Sequence, residues 1–214
     1  MIRLSRLVRD ERAASAAEFA LTLPLLMILL FGIIDGGRWL WTYNEAEKAT
    51  QEGARVAVVT DMIPGGLAAQ SFVGVTVNGT TLGQGDVVPA SAIGTITCTR
   101  ASSTASVSCD CPSCSGITLT PYNTSGWNDI VTRMKAIFPQ ITDANVVVQY
   151  RGSGLGFAGD PHGSDIAPIV TVKLGTPATP VTFTPITSYL FATLSMPDFS
   201  ASLTGEDLTG NVSS

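Results

Sequence analysis

Two features of this chain put reactive side chains at spacings where they could do chemistry. Four cysteines, Cys98, Cys109, Cys111 and Cys114, crowd into one short stretch, and a single carboxylate, Glu18, interrupts an apolar run near the N-terminus. The cysteines allow three disulfide pairings in principle. A hairpin turning at Ser103-Thr104 sets Cys98 opposite Cys109, with Ile96 and Val107 flanking the pair on one face, and leaves Cys111-Pro112-Ser113-Cys114 to close a local loop. Such a pattern staples an exposed hairpin in an oxidising compartment. Two other chemistries compete for the same sulfurs. Cys111-x-x-Cys114 resembles a redox dithiol, but that chemistry wants a helix starting at the first Cys to depress its pKa, and Ser115-Gly116 and Thr120-Pro121 follow instead. Four thiolates could hold zinc, but the gaps between them depart from paired Cys-x-x-Cys spacing.

The remaining candidates are weaker. Gly154-Leu155-Gly156-Phe157-Ala158-Gly159 matches the dinucleotide fingerprint as a string, but Asp160-Pro161-His162-Gly163 follows and cannot open a phosphate-binding helix. The stretch reads as a flexible loop, with His162 a solvated loop residue. Asp160 and Asp165 lack the rest of a calcium loop. No nucleophile-and-base arrangement is present, so the chain reads as a non-enzyme with no cofactor and no small-molecule substrate.

The elements that must position these groups begin with the apolar run over residues 13–34. At about 1.5 Å per residue it can cross a hydrocarbon core of about 30 Å. A charge inside such a run costs roughly 2.5–3.5 kcal/mol on insertion scales, so Glu18 needs a partner or a purpose. Arg3, Arg6, Arg9 and Arg12 precede the run, whereas only Arg38 and Lys48 follow it closely. That asymmetry keeps the N-terminus cytoplasmic and puts everything after about Asp35 on the far side. The competing arrangement is a cleaved secretory signal with its basic region ending at Arg12, but residues 33–39 offer no good small-x-small cleavage site.

Beyond the membrane exit Trp39, Leu40, Tyr43, Ala46, Thr50, Gly53, Ala54 and Ala57 recur at spacings of three and four. The spacing predicts one helix over residues 14–59, about 70 Å long, kinked at Pro24 and loosened at Gly36-Gly37. Ala46, Ala49, Gly53 and Ala57 form a narrow strip suited to packing against the chain's own distal domain or against neighbouring subunits. Pro64-Gly65-Gly66 ends the helix. The expected strands are residues 72–77, turning at Asn78-Gly79 into 80–82, then 93–100 with 105–109, 145–150, 169–174, 181–184 and 199–203. A helix marked by Trp127, Ile130, Val131, Met134, Ile137 and Phe138 should be capped by Ser125 and closed by Pro139. A second, short helix is expected at 188–194. The distal part from Val56 carries five basic residues against ten acidic ones, which excludes a nucleic-acid partner. The expected fold class is α+β: a long N-terminal transmembrane and amphipathic helix carrying a β-rich head. The domains divide as a basic leader (1–13), the helix (14–60), the head (61–208) and a loose tail (209–214).

The run Arg12-Ala13-Ala14-Ser15-Ala16-Ala17-Glu18-Phe19-Ala20-Leu21-Thr22-Leu23-Pro24-Leu25-Leu26, then Phe31-Gly32-Ile33-Ile34-Asp35-Gly36-Gly37-Arg38, and finally Gln51-Glu52-Gly53-Ala54-Arg55 resembles the TadE-like family. These are minor pilins or pseudopilins of the bacterial Tad (Flp, tight-adherence) pilus system. The likeness covers about residues 12–58; the rest of the chain carries no such signature. The resemblance implies a pilin-like shape, an inner-membrane location with the head in the periplasm or pilus-associated, and processing by a prepilin peptidase. In that family the cut leaves Glu at the fifth mature position and an aromatic at the sixth, which places it between Ala13 and Ala14. Ala13 stands where the family usually has Gly. The partners implied are the membrane, other Tad pilins and the assembly platform, with Glu18 and Phe19 as the assembly motif and Pro24, Gly37, Arg38, Glu52, Gly53 and Arg55 as further family positions. The alternative is an uncleaved single-pass protein holding a periplasmic binding or adhesion module; a third reading is a disulfide-active envelope enzyme.

Overall fold

The computed structural model describes residues 11–114, 116–161, 163–189, 192–205 and 208, with the side chains of 11–14 excepted. The basic leader at Arg3, Arg6 and Arg9, the side chains of Arg12, Ala13 and Ala14, His162 and the 209–214 tail therefore lie outside the described residues. A β-rich domain follows one long N-terminal helix, which makes the fold α+β. The helix, α1, runs over Glu11–Ala57 and continues through Pro24 and Gly36-Gly37. By its contacts the chain divides into two compact units: α1 as far as Thr42 with Thr182–Leu194, and Tyr43–Val181 with the chain from Ser195 onward.

The second unit is built on a five-stranded antiparallel sheet ordered β4-β3-β5-β6-β9. Its strands are β3 (Ile96–Thr99), β4 (Ser108–Asp110), β5 (Val146–Arg151), β6 (Ile169–Leu174) and β9 (Phe199–Thr204). Alternation explains β6: Val170, Val172 and Leu174 are buried while Ile169, Thr171 and Lys173 are not. Helix α3 (Thr124–Ile137) buries Trp127, Ile130, Val131 and Met134, and the short α2 (Gly65–Ala68) precedes a small hairpin of β1 (Thr76–Val77) and β2 (Thr80–Thr81). Asn78 (φ 50°) and Gly79 (φ 83°) are both left-handed, which is why an Asn-Gly pair makes that two-residue turn. Tyr150 is fully buried, its hydroxyl accepting from the Ile63 N–H at 3.2 Å, and burial pushes its phenol pKa up.

Within this unit the small-residue strip of α1 is interior. Ala46, Ala49 and Ala57 are buried, and a Cβ on Gly53 would lie 2.7 Å from the Met134 sulfur and 3.3 Å from a Val172 methyl. The strip therefore packs against the chain's own sheet and α3. Tyr43 meets Phe199 edge-on at 5.0 Å.

Several expectations need correction. The strand expected over 72–77 keeps only Thr76–Val77, because the Phe72 N–H is taken by the Asp165 carboxylate at 2.7 Å and Gly74 turns the chain at φ 81°. The cap of α3 is Asn123, whose side chain accepts from the Gly126 N–H at 3.1 Å; Ser125 lies inside the first turn. The strand expected over 93–100 begins only at Ile96, since Ala90–Ala92 forms a 3-10 turn ahead of it. In the first unit, β7 is Thr182–Phe183, and it pairs with β8 (Leu194–Ser195). The helix expected at 188–194 is absent among its described residues: 186–189 form a turn and Leu194 is already in a strand.

Candidate functional site at the helix and its exit

From Ser15 the helix presents its apolar side chains outward, and its most hydrophobic window is unburied within the chain. Phe19, Leu21, Leu25, Leu29 and Ile33 are all more than half exposed, and Glu18 is exposed too. A stretch of this length and composition, left uncovered by its own protein, fits a single-pass membrane anchor. Ala13 and Ala14 lie on the helical backbone, and Pro24 lies inside the helix. Pro24 lacks the N–H that would bond to residue 20, but water-free surroundings tolerate such a break where neighbouring groups re-satisfy the backbone.

At the C-terminal end of the apolar run the structure assembles a polar latch that the sequence reading missed. Asp35 is buried, and its carboxylate accepts from the Ile186 N–H at 2.8 Å, the Thr187 N–H at 3.0 Å and the Thr187 hydroxyl at 2.8 Å. Arg38, one turn further on, donates to it at 3.0 Å and lays its guanidinium 5.3 Å from the centre of the Phe183 ring. A carboxylate at the edge of hydrocarbon is costly unless its lone pairs are used, and here backbone, hydroxyl and guanidinium use them. The signal was present in part: Asp35 sits three residues before Arg38, the spacing of a helical ion pair. Gly32, Gly36, Trp39, Phe183, Pro185 and Leu194 line a groove of about 360 Å³ beside the latch. Gly37 faces open space.

The later family positions serve packing in the second unit. Glu52 takes a 2.9 Å hydrogen bond from Arg133 of α3, while Arg55, on the same helix, is 3.9 Å away. Gly53 provides the close approach to Met134 already described.

Cys98 is bonded to Cys109 and Cys111 to Cys114. Cys98 and Cys109 are direct cross-strand partners in the β3–β4 register. Among the described residues no cysteine is free and no cluster of His, Cys, Asp and Glu could hold a metal. A Cys98→Ser, Cys109→Ser double variant should cost about 3 kcal/mol, the chain-entropy value for a loop of this length, and reduction, which also opens Cys111–Cys114, should cost more. Denaturant unfolding of the purified full chain, with and without reductant, checks it; an unchanged midpoint would contradict a stapling role.

The other motifs resolve as scaffold. In the glycine string Gly154, Gly156 and Gly159 all have positive φ, and a Cβ on Gly156 would collide with the Asp165 carbonyl. Asp165 accepts from the N–H groups of Phe72 and Asp160, at 2.7 and 3.1 Å, so it ties loops together. A buried cluster the sequence did not flag joins the β3–β4 turn to α3. Arg100 donates to the Asn128 amide oxygen (2.7 Å), the Ala105 carbonyl (2.8 Å), the Ser103 carbonyl and Asp143 (3.4 Å). Asp143 also accepts from the Trp127 indole (3.2 Å) and Lys135 (3.1 Å).

No curated protein and no solved structure matches the chain. Over residues 13–55, the exposed helix and its continuation, the sequence matches the model of the TadE-like protein family, the family its N-terminal motif resembles.

Proposed function

We propose that this protein is a minor pilin or pseudopilin acting in Tad pilus biogenesis. It is inserted in the inner membrane as a prepilin, with its N-terminus cytoplasmic and its head periplasmic, and a prepilin peptidase cuts it between Ala13 and Ala14. Glu18 and Phe19 then guide packing with other pilins or the assembly platform. The observation that carries this reading is the coincidence of the TadE-like match with an apolar helix left exposed by its own chain. On this reading the chain divides into a leader 1–13, a helix 14–60, a head 61–208 and a tail 209–214.

The chemistry supports the reading in two ways. The exposed apolar helix needs lipid or other helices to cover it, since an uncovered face of that size is not stable in water. The amine created at Ala14 would lie one helical turn from Glu18, at the membrane's inner edge, so each subunit would present both charges needed to pair with a neighbour. The disulfides suit an oxidising compartment.

A second reading, an uncleaved anchored binding or adhesion module, draws on one observation, Ala13 in place of the usual Gly. Deleting the gene in a strain that encodes a secretion ATPase and a platform protein separates the two. The pilin reading expects loss of surface pili, restored by the wild-type gene; unchanged piliation would favour the anchored module.

A further inference from the structure

The latch at Asp35 holds a segment that carries no charge. Residues 174–197 contain no charged side chain. From Thr182 to Ser188 burial alternates. Phe183, Pro185 and Thr187 turn inward, while Thr182, Thr184, Ile186 and Ser188 turn outward. The outward set is hydroxyl and aliphatic, and Tyr189 beyond it is 70% exposed and Ile186 49%.

Its position matters as much as its composition. The hydrogen bonds from Ile186 and Thr187 to Asp35 fix the loop at the level where the apolar run ends. Leu40 and Trp41 follow on α1 within two turns and are 57% and 69% exposed. At about 1.5 Å per residue they lie roughly 10 Å beyond Ile34, the depth of the headgroup layer outside the hydrocarbon. Trp and Tyr with aliphatic neighbours are the residues that favour this layer, where one end of the ring is apolar and the other wet.

We propose that Thr182–Tyr189 is an interfacial foot. It is a loop, latched to the membrane helix by Asp35, that seats Ile186 and Tyr189 in the lipid headgroup layer at the C-terminal end of the span. The occupant of this surface is the bilayer itself, because the loop is fastened at Asp35 to the end of the exposed apolar run. The foot sets how deep the helix sits, since sliding the helix toward the hydrocarbon would drag the polar latch with it. Without Asp35 the N–H groups of Ile186 and Thr187 lose their acceptor and the foot lifts.

The inference rests on α1 spanning a membrane and is independent of any role in pili. The test uses the full chain carrying Tyr189→Cys, with an environment-sensitive fluorophore on the new thiol. The protein is reconstituted in phosphatidylethanolamine–phosphatidylglycerol vesicles. A nitroxide on the upper acyl chain is expected to quench the label several-fold more than aqueous iodide does, and adding Asp35→Ala should reverse that order. Iodide reaching position 189 freely in the Asp35 protein overturns the foot, and lipid quenching that survives Asp35→Ala overturns the latch. Protection that disappears when the protein is diluted in the vesicles means a second copy covers the patch, which also overturns it. A parallel label at Leu25→Cys monitors the span. If that label is lipid-quenched while 189 is aqueous, the foot alone fails; if it too reads water, the membrane helix fails and the foot with it.

Discussion

Glu18→Ala is expected to leave the protein in the membrane and to remove it from pilus assembly. Insertion does not need the carboxylate, because removing a charge from an apolar run lowers the cost of burying it by roughly 2.5–3.5 kcal/mol on insertion scales. Assembly does need it under the proposed function. Glu18 is exposed on the helix beside an exposed Phe19. Pairing with the N-terminal amine of a neighbour would fix the axial register of one helix against the next. Breaking a buried pair costs about 3–5 kcal/mol, enough to weaken association by two orders of magnitude or more. Glu18→Gln separates shape from charge, and should fail nearly as badly. Membrane fractionation and counts of surface pili read the two effects separately, and normal piliation in Glu18→Ala would remove the residue from the assembly account.

Asp143→Ala should be the most damaging single change to the folded second unit. The carboxylate is buried beside Arg100, itself 8% exposed, and takes hydrogen bonds from Trp127 and Lys135. Removing it strands the guanidinium and the indole N–H, a loss of about 3–5 kcal/mol, which for a domain of this size lowers Tm by on the order of 10 °C. Its titration gives a second signature. Burial pushes the Asp143 carboxyl up, but hydrogen bonds from Lys135 and Trp127 and the charges of Lys135 and Arg100 outweigh it, so the group sits below its ordinary value. A carboxylate with a lowered folded pKa stabilises the protein fully above its unfolded pKa of about 3.9, and that contribution is lost as pH falls through the folded pKa. The wild type should therefore lose stability below about pH 4 more steeply than Asp143→Asn. Thermal unfolding of the detergent-solubilised chain across that range checks both effects. Parallel pH profiles would show that Asp143 is not the linked group.

What could be read from the residues follows from how local each signal is. The strand β6 was legible to its ends because alternating Val, Thr and Lys encode one buried face without reference to the rest of the chain. The β3–β4 register was legible because a tight turn and two cysteines leave one alignment in which the sulfurs face each other. The helix was legible from its periodicity across the membrane exit. Where the outcome depended on distant partners the reading went wrong or stayed silent. Residues 72–75 look like a strand until the Asp165 carboxylate, far along the chain, takes the Phe72 N–H. Asn123, Thr124 and Ser125 are all competent caps, and only the chain's entry into α3 selects Asn123. Asp35 looked like the polar end of a membrane run because its partners, Ile186 and Thr187, are about 150 residues away. The same holds for Arg100, whose acceptors come from a turn, a helix and the loop before β5. Glu18 differs in kind: its proposed partner belongs to another subunit, so the proposal for it rests on the family motif around it.

The central claim is that this chain is made as a prepilin, and the N-terminus of the protein in cells tests it most directly. Mass spectrometry of the protein from strains with and without their prepilin peptidase should show a chain beginning at Ala14 only where the peptidase is present. An intact Met1 in both strains would contradict the account and favour the anchored module. A start beyond Asp35 would contradict it more deeply, because the helix that defines the protein would then be a discarded signal.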